Sequence, residues 1–297
     1  MKVKCSPARA IALMLPLFVT GCSLLPATRK LPIPKAPLVE QNATPEQLVE
    51  QLNSRWNALN SLTAKVEIQA SQTKSKEGIA KDSPTLQGHI LMRKPEMLRV
   101  LGYYLSIKAF DMAGDGKNFT AYIHLPSGSR TVKGSYTIKK KSANPLENLR
   151  PGFFLDALVV RGLEPDDLYG VVADSQTVED TSRKHLFTVP EYVLSISRRK
   201  SGSQQLTPVR VITFRRDDLL PSQQNIYDSD GNLETEVRYY NYQDFGSSKY
   251  PSRVVIRRPL EEVQINMNVD NVVENQPLTD DQFVLKPAEG TQIQNLE

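Results

Sequence analysis

Cys22 is the residue with the most distinctive chemistry in the chain, because it closes the stretch Val19-Thr20-Gly21-Cys22 after an apolar run. The small residues Thr20 and Gly21 give a signal peptidase access to the backbone, and a cysteine thiol is a good nucleophile for diacylglyceryl transfer. The stretch is typical of a lipobox. We therefore predict a covalent diacylglyceryl group on Cys22 and, after cleavage, an N-acyl chain on its amine. Two or three acyl chains anchor a protein firmly, whereas one does so only reversibly.

Residues 1–21 are typical of a lipoprotein signal peptide. A basic start without acidic residues precedes an apolar run at 10–19, which is shorter than the ~20 residues that a transmembrane helix needs. An ordinary secretory signal with a chance cysteine is the alternative. Ser23, where an aspartate would favour the inner membrane, favours transfer to the outer membrane. We expect a protein of the cell envelope, lipid-anchored to the outer membrane and facing the periplasm.

The rest of the sequence contains no arrangement typical of catalysis or of metal binding. His89, His124 and His185 are dispersed, and none has a partner at the spacing of metal ligands. Neither a Gly-x-Ser-x-Gly elbow nor a phosphate-binding glycine loop occurs. Because Cys5 leaves with the signal and Cys22 is lipidated, no thiol remains. We predict that the protein is not an enzyme, and we expect no metal and no cofactor besides the lipid on Cys22.

Composition limits the partners of the chain. The formal net charge of the 297 residues is +4, but three of these charges belong to the signal peptide, so the mature chain is near +1. A net charge this small does not indicate a basic surface for binding nucleic acid. The basic runs at 139–141 and 198–200 either face anionic lipid headgroups or are solvated ends of strands. The remaining length suffices for one large domain or two small ones.

Residues 22–43 are predicted to form a lipidated, proline-rich tether, and 44–297 to form the folded domain. A proline-rich chain extends by ~3.1 Å per residue, so about twenty residues reach ~60 Å. The domain begins with a helix signal, since Thr44-Pro45-Glu46-Gln47 combines a cap, a proline at the first helical position and a capping-box glutamine. Leu48, Leu52, Trp56 and Leu59 then form one apolar stripe, and we expect Trp56 in the core.

Alternation with a period of two begins near residue 62 and is typical of half-buried strands. A first strand pattern is followed by a polar, loop-like stretch at 72–84, and further strand patterns recur over 86–137 and 168–270. A last short strand is predicted at 282–285, and short apolar helices are predicted at 144–149 and 151–160. Local turn signals between the runs favour an antiparallel meander over βαβ crossovers. The expected fold is α+β, mostly β: a curved, unclosed antiparallel sheet of about eleven strands, with helices on its concave side.

Two motifs in the domain resemble the LolA and LolB lipoprotein carrier family. The first comprises a strand that starts at Gly88 and ends in Arg93-Lys94-Pro95, followed by Asp115-Gly116-Lys117 and then Tyr122. The second is Leu278-Thr279-Asp280-Asp281-Gln282-Phe283, with Pro287 and Gly290 after it, which is similar to the closing strand of the family. The resemblance touches both ends of the domain, whereas residues 140–250 contain no matching motif.

This resemblance implies an unclosed half-barrel whose helices form a lid over an apolar cavity for the acyl chains of lipoproteins. The protein would then aid the localisation of lipoproteins to the outer membrane. The candidate lining residues are Ile90, Met92, Leu98, Val100 and Phe110 on strands, and Phe153, Phe154 and Leu158 in the lid. Plain core packing fits each of these residues equally well.

Two departures from the family pattern bear on the role of the chain. The soluble carrier has an arginine before the proline that helps to hold the lid closed, whereas this chain has Lys94, which lacks the planar fork of donors. The lipid anchor indicates LolB, the membrane-attached acceptor, which presents an apolar loop to the bilayer. Tyr103-Tyr104-Leu105 is the candidate loop, and an in-sheet position is its alternative.

The expected partners are the membrane, acyl chains of lipoproteins or lipids, and a soluble periplasmic carrier. No nucleic acid is expected. The alternative function is a non-catalytic interaction protein of the envelope, which uses the same fold to bind a protein or another envelope component. A barrel filled by large side chains would favour that alternative.

Overall fold

The computed structural model describes residues 40–74, 79–125, 128–136, 149–179, 186–246, 248–286 and 291–296. Cys22, the signal peptide, most of the tether, the basic run at 139–141 and the predicted helix at 144–149 apart from Leu149 lie outside these residues, as do His185, Pro287 and Gly290. Among the helices of the described part, none is long and apolar enough to cross a membrane.

The described residues form two α-helices, one 3₁₀ helix and fifteen strands. The helices are α1 (Pro45–Ala58), α2 (Pro151–Leu158) and a 3₁₀ helix at Asp280–Phe283. The strands before α2 are β1 (Ser61–Lys74), β2 (Ile79–Asp82), β3 (Leu86–Arg93), β4 (Met97–Tyr104), β5 (Ile107–Asp115), β6 (Asn118–Leu125) and β7 (Gly128–Ser135). Those after it are β8 (Asp167–Glu179), β9 (Leu186–Arg199), β10 (Leu206–Arg215), β11 (Pro221–Tyr227), β12 (Leu233–Phe245), β13 (Ser248–Arg258), β14 (Val263–Glu274) and β15 (Gln292–Asn295).

All fifteen strands belong to one sheet that does not close on itself. Its order is β15-β7-β6-β5-β4-β3-β1-β14-β13-β12-β11-β10-β9-β8, with β2 paired to the far end of β1. The pairs are antiparallel except for β15, which runs parallel to β7. The predicted α+β, mostly β, unclosed antiparallel sheet is confirmed, with fifteen strands in place of the expected eleven.

The long-range pairing of β1 with β14 joins the two halves of the meander. It places Ile68 opposite Met267 and Ala70 opposite Ile265. All the other antiparallel pairs are made between strands that follow closely in the chain, as expected for hairpins with local turns. The Asp230-Gly231 turn lies between β11 and β12, and Gly231 adopts the positive φ of 83° for which glycine is suited.

The predicted strand at 282–285 is wrong. Residues Asp280–Phe283 form a 3₁₀ helix, because the Gln282 side chain accepts a hydrogen bond from the Thr279 backbone at 2.8 Å and so completes a capping box. Phe283 is buried by this turn against the outside of the sheet. The last strand is instead β15, at Gln292–Asn295.

Helix α1 starts as predicted, and its buried face covers one end of the sheet. The Thr44 side chain accepts from the Gln47 backbone, and Gln47 in turn accepts from the Thr44 backbone. Leu48 and Leu52 are buried in a smaller core whose other members come from β9 and β10: Tyr192, Leu194, Ile196, Ile212 and Phe214. Trp56, expected in the core, is only half-buried at the rim of α1.

Helix α2 lies against the concave face of the sheet and belongs to the larger core. Phe153, Phe154, Leu155, Ala157 and Leu158 are buried there with residues of β1, β3 to β7 and β12 to β14. The expectation of a helix on the concave side is therefore confirmed for the predicted segment at 151–160.

Candidate functional site

An apolar cavity of about 400 Å³ lies between α2 and the part of the sheet formed by β1, β3, β4 and β5. Its wall is formed by Ile68, Ala70, Ser83, Pro84, Leu86, Val100, Gly102, Tyr104, Ile107, Ala109, Phe110, His124, Leu149, Phe154 and Ile265. Among the described residues that line it, none is an aspartate, glutamate, lysine or arginine. A space of this size and polarity suits an apolar ligand or part of one.

The cavity forms because small residues lie on the inward face at this end of the strands. Ala70 on β1, Gly102 on β4 and Ala109 on β5 contribute almost no side-chain volume to it. The Leu86 side chain also packs closely against Gly102, since a Cβ added there would lie 3.0 Å from Cδ1 of Leu86. Further along the same face, larger side chains such as Met92 fill the interior.

The structure places three of the eight predicted lining residues in the cavity wall: Val100, Phe110 and Phe154. The other five, Ile90, Met92, Leu98, Phe153 and Leu158, are buried in the larger core, where the packing interpretation applies to them. Leu158 lines a separate void of about 50 Å³ next to α1.

Most of the remaining wall was missed from the sequence. Ile68 and Ala70 belong to an alternating run that was recognised as a strand, and so does Ile265 on the partner strand β14. The alternation indicated the inward face of these strands, but it did not indicate that β1 lies between β3 and β14 in the sheet.

The C-terminal end of α2 is fastened to the sheet by buried side chains. The Tyr250 hydroxyl donates to the Leu158 carbonyl, and the Gln224 amide donates to the Asp156 carbonyl. These donors satisfy carbonyl groups that a helix end leaves without intrahelical partners. Burial raises the pKa of the Asp156 carboxyl, although Arg161 lies 3.4 Å from it. Helix α2 is thus held in place at one end, while Phe154 forms part of the cavity wall.

Lys94 fastens α1 to the end of β3. Its Nζ donates to the Trp56 carbonyl and lies 4.0 Å from the centre of the Trp56 ring. Loss of solvent around the ammonium group lowers the pKa of Lys94. The position that holds the lid in the soluble carrier therefore stabilises the start of the domain in this chain.

The other motif positions shape turns and the outer face. Arg93 donates to the Leu278 carbonyl at 2.7 Å and stacks 5.3 Å from the Phe283 ring centre, which ties β3 to the 3₁₀ helix. The Asp115 carboxylate accepts from the backbones of residues 117 and 118, and these hydrogen bonds lower its pKa. Gly88 packs so closely against the Leu101 carbonyl that no side chain would fit there, and Pro95 lies in the β3–β4 turn. Gly116 adopts a positive φ of 93°, and the Tyr122 hydroxyl lies 2.9 Å from the Ser129 hydroxyl.

The turn between β4 and β5, which we call the β4–β5 tip (residues 104–107), lies beside the mouth of the cavity. Tyr104 and Ile107 line the cavity with part of their surface and are otherwise exposed. Leu105 is 85% exposed and has a φ of 54°. The loop interpretation therefore fits Leu105, whereas Tyr103 is half-buried within β4, as the in-sheet alternative expected.

No protein-family model and no curated protein sequence matches this chain. Solved structures do. A LolA superfamily protein from Nitrosomonas europaea is 14% identical, with 82% of this chain and 99% of that chain covered, at a TM-score of 0.49. A DUF1329 family protein from Desulfovibrio piger is 13% identical, with 80% and 94% covered, at 0.46. An outer membrane lipoprotein-sorting protein domain from Vibrio parahaemolyticus is 12% identical, with 80% and 94% covered, at 0.45.

The arrangement itself, an unclosed antiparallel sheet with a helix on its concave side beside an apolar cavity, agrees with the fold that the resemblance implied. Within the described part of the chain, no group of three histidine, cysteine, aspartate or glutamate residues is placed to hold a metal ion.

Proposed function

We propose that the protein is a lipid-anchored envelope lipoprotein that holds acyl chains of lipoproteins or lipids in its cavity and aids the localisation of lipoproteins to the outer membrane. The observation that carries this proposal is the empty space of about 400 Å³ whose wall lacks acidic and basic side chains. The alternative, an interaction protein with a filled barrel, is disfavoured by the same observation.

The energetics of the cavity suit a carrier that must also release its cargo. Each methylene removed from water gains ~0.8 kcal/mol, so about ten methylenes supply ~8 kcal/mol before the chain is ordered. The loss of chain freedom opposes this gain, and affinities in the micromolar range or weaker follow. A polar headgroup or a peptide would remain outside the mouth, because the wall has no group to neutralise a charge.

The β4–β5 tip supports a role at a membrane. Asparagine or glycine is the usual residue at a positive φ in such a turn, whereas leucine in this conformation is strained. Leu105 combines the strained backbone with an exposed apolar side chain beside the mouth. We infer that it contacts lipid when cargo passes between the cavity and the bilayer. The proposed anchor at Cys22 and a tether reaching ~60 Å leave the tip within range of the membrane surface.

Ala109→Phe is expected to weaken acyl-chain binding by about tenfold or more, because the added ring occupies the cavity and displaces methylenes of the ligand. The measurement is a titration of residues 23–297 with a fluorescent fatty acid and with a triacylated lipopeptide. Ala58→Phe is the matched control, since Ala58 is exposed at the end of α1 and lies outside the wall. Equal binding by the two variants would contradict the proposal.

Leu105→Asn is expected to leave acyl-chain binding intact and to slow transfer of the probe to vesicles by about tenfold, because one buried leucine contributes ~1.5 kcal/mol or more at the lipid surface. Asparagine suits the φ of 54°, so the fold should not suffer. Stopped-flow transfer to vesicles measures the rate. Ile293→Asn, at another exposed apolar residue on β15, serves as the control. If Leu105→Asn transfers cargo at the wild-type rate, the tip has no part in delivery.

A further inference from the structure

Strand β8 is a long edge strand with apolar residues on both faces. It pairs with β9 along its whole length of thirteen residues, and the described part of the chain provides no strand on its other side. Within its first half, Leu168, Tyr169 and Val172 are exposed, Val172 by 63%. Proteins usually protect such edges with charges, prolines or bulges, since an exposed apolar edge pairs readily with another strand.

The first half of β8 has a centre of symmetry at Gly170. Two apolar residues precede this glycine (Leu168 and Tyr169) and two follow it (Val171 and Val172). A glycine inside a strand commonly marks the close approach of another backbone. Within the described part of the chain no such approach occurs, because a Cβ added at Gly170 would meet nothing within 4 Å.

We propose that two copies of the protein associate through β8, antiparallel and centred on Gly170, so that one sheet continues across both copies. The two-fold axis then places Leu168 of each copy opposite the partner's Val172. Tyr169 faces the partner's Val171 on the other side of the sheet. Aromatic and β-branched residues are favourable cross-strand partners. This inference goes beyond the acyl-chain proposal and does not depend on it.

Charges define how far the pairing extends. The Asp167 carboxylate is fully buried and accepts from Arg198 Nε at 2.6 Å, so it does not face the second copy. Asp174 is exposed and ends the apolar run on the other side. Pairing therefore covers residues 167–173, and Asp167 of each copy lies opposite Ala173 of the other. A register centred further along the strand would place Asp174 against Val172.

Single cysteines test this register, because the chain has only the two cysteines Cys5 and Cys22. In the full-length chain with both changed to serine, Gly170→Cys should form a disulfide-linked dimer on mild oxidation, since the two positions face each other across the axis. Ala173→Cys and Ser175→Cys should stay monomeric. In this register the two copies of residue 173 lie six positions apart along the strands, and the two copies of residue 175 lie ten positions apart. At ~3.3 Å per residue these separations are ~20 and ~33 Å, which is too far for a disulfide.

Sedimentation of the detergent-extracted chain provides a measurement that needs no new cysteine. The unsubstituted chain should have the mass of two copies, and Val172→Lys should have the mass of one, because the lysine would face Leu168 of the other copy. The proposal is overturned if Gly170→Cys links no better than Ser175→Cys and the unsubstituted chain is a monomer. It is also overturned if Gly170→Cys links in cells to a different protein instead, since the edge would then bind a foreign strand.

Discussion

Asp111→Asn is expected to lower the free energy of unfolding by about 3 kcal/mol, because removal of one partner from a buried ion pair leaves the other charge uncompensated. The Asp111 carboxylate is fully buried. Arg99 donates to both of its oxygens, Nε to Oδ1 and Nη2 to Oδ2, at 3.1 Å each, and Lys108 Nζ lies 3.1 Å from Oδ2. An asparagine supplies one acceptor and turns an amide donor toward the Arg99 guanidinium.

The same change should loosen the C-terminal segment on the outer face. Arg99 also donates to the Gln282 carbonyl at 3.0 Å, so the guanidinium links Asp111 in β5 with the 3₁₀ helix. If Arg99 moves when its carboxylate partner is lost, the segment at 280–283 loses this contact. Hydrogen exchange of the backbone amides around Phe283 should therefore increase together with the loss of stability.

Urea unfolding followed by the fluorescence of Trp56 measures the stability change. Asp280→Asn is the matched control, since Asp280 belongs to the same outer segment and pairs with Arg93, but its side chain is 84% exposed. Exposed pairs contribute ~1 kcal/mol or less. A similar loss in the two variants would show that burial of Asp111 is not what makes this pair important.

Local signals in the sequence were sufficient for most of the elements of the fold. The capping box at Thr44 defined the start of α1, and period-two alternation defined the strands and their inward faces. The failure at Asp280–Phe283 has a local cause too: residues 279–282 contain the same capping pattern as the start of α1, and they form a 3₁₀ turn in place of the predicted strand. Short segments are ambiguous when two such signals compete.

The cavity could be predicted only in part, since empty space results from residues that are far apart in the sequence. Its wall brings together Ile68, Gly102 and Ile265, and the alternation identifies each of them as inward-facing without revealing their neighbours. Asp111 illustrates the same limit on the outer face. From the sequence it is an ordinary outward residue of a strand, and its burial follows from the 3₁₀ helix that packs over β4 and β5.

Phe154→Ala and Phe214→Ala are each expected to lower the free energy of unfolding by about 3–5 kcal/mol, since truncation of a buried phenylalanine removes its contacts and leaves a void. Both side chains are 1% exposed. Phe154 belongs to the larger core and to the wall of the 400 Å³ cavity, whereas Phe214 belongs to the smaller core under α1 and to the separate 50 Å³ void.

An acyl ligand should distinguish these two variants. In Phe154→Ala the new space is continuous with the cavity, so a bound chain can fill it and restore contacts that the phenyl ring made. A ligand at 100 times its dissociation constant stabilises the folded state by ~2.7 kcal/mol. We therefore expect a saturating fatty acid or lipopeptide to return much of the lost stability to Phe154→Ala, and the longest chains to gain affinity relative to the unsubstituted protein.

Phe214→Ala should bind the same ligands with unchanged preference for chain length, because its void lies apart from the cavity. Thermal unfolding with and without ligand, together with titration of acyl chains of increasing length, measures both effects. A shift in chain-length preference in Phe214→Ala but not in Phe154→Ala would place the ligand next to α1 rather than in the cavity under α2. If the ligand stabilises both variants equally and their chain-length preferences are the same, binding does not depend on the shape of the cavity wall at Phe154.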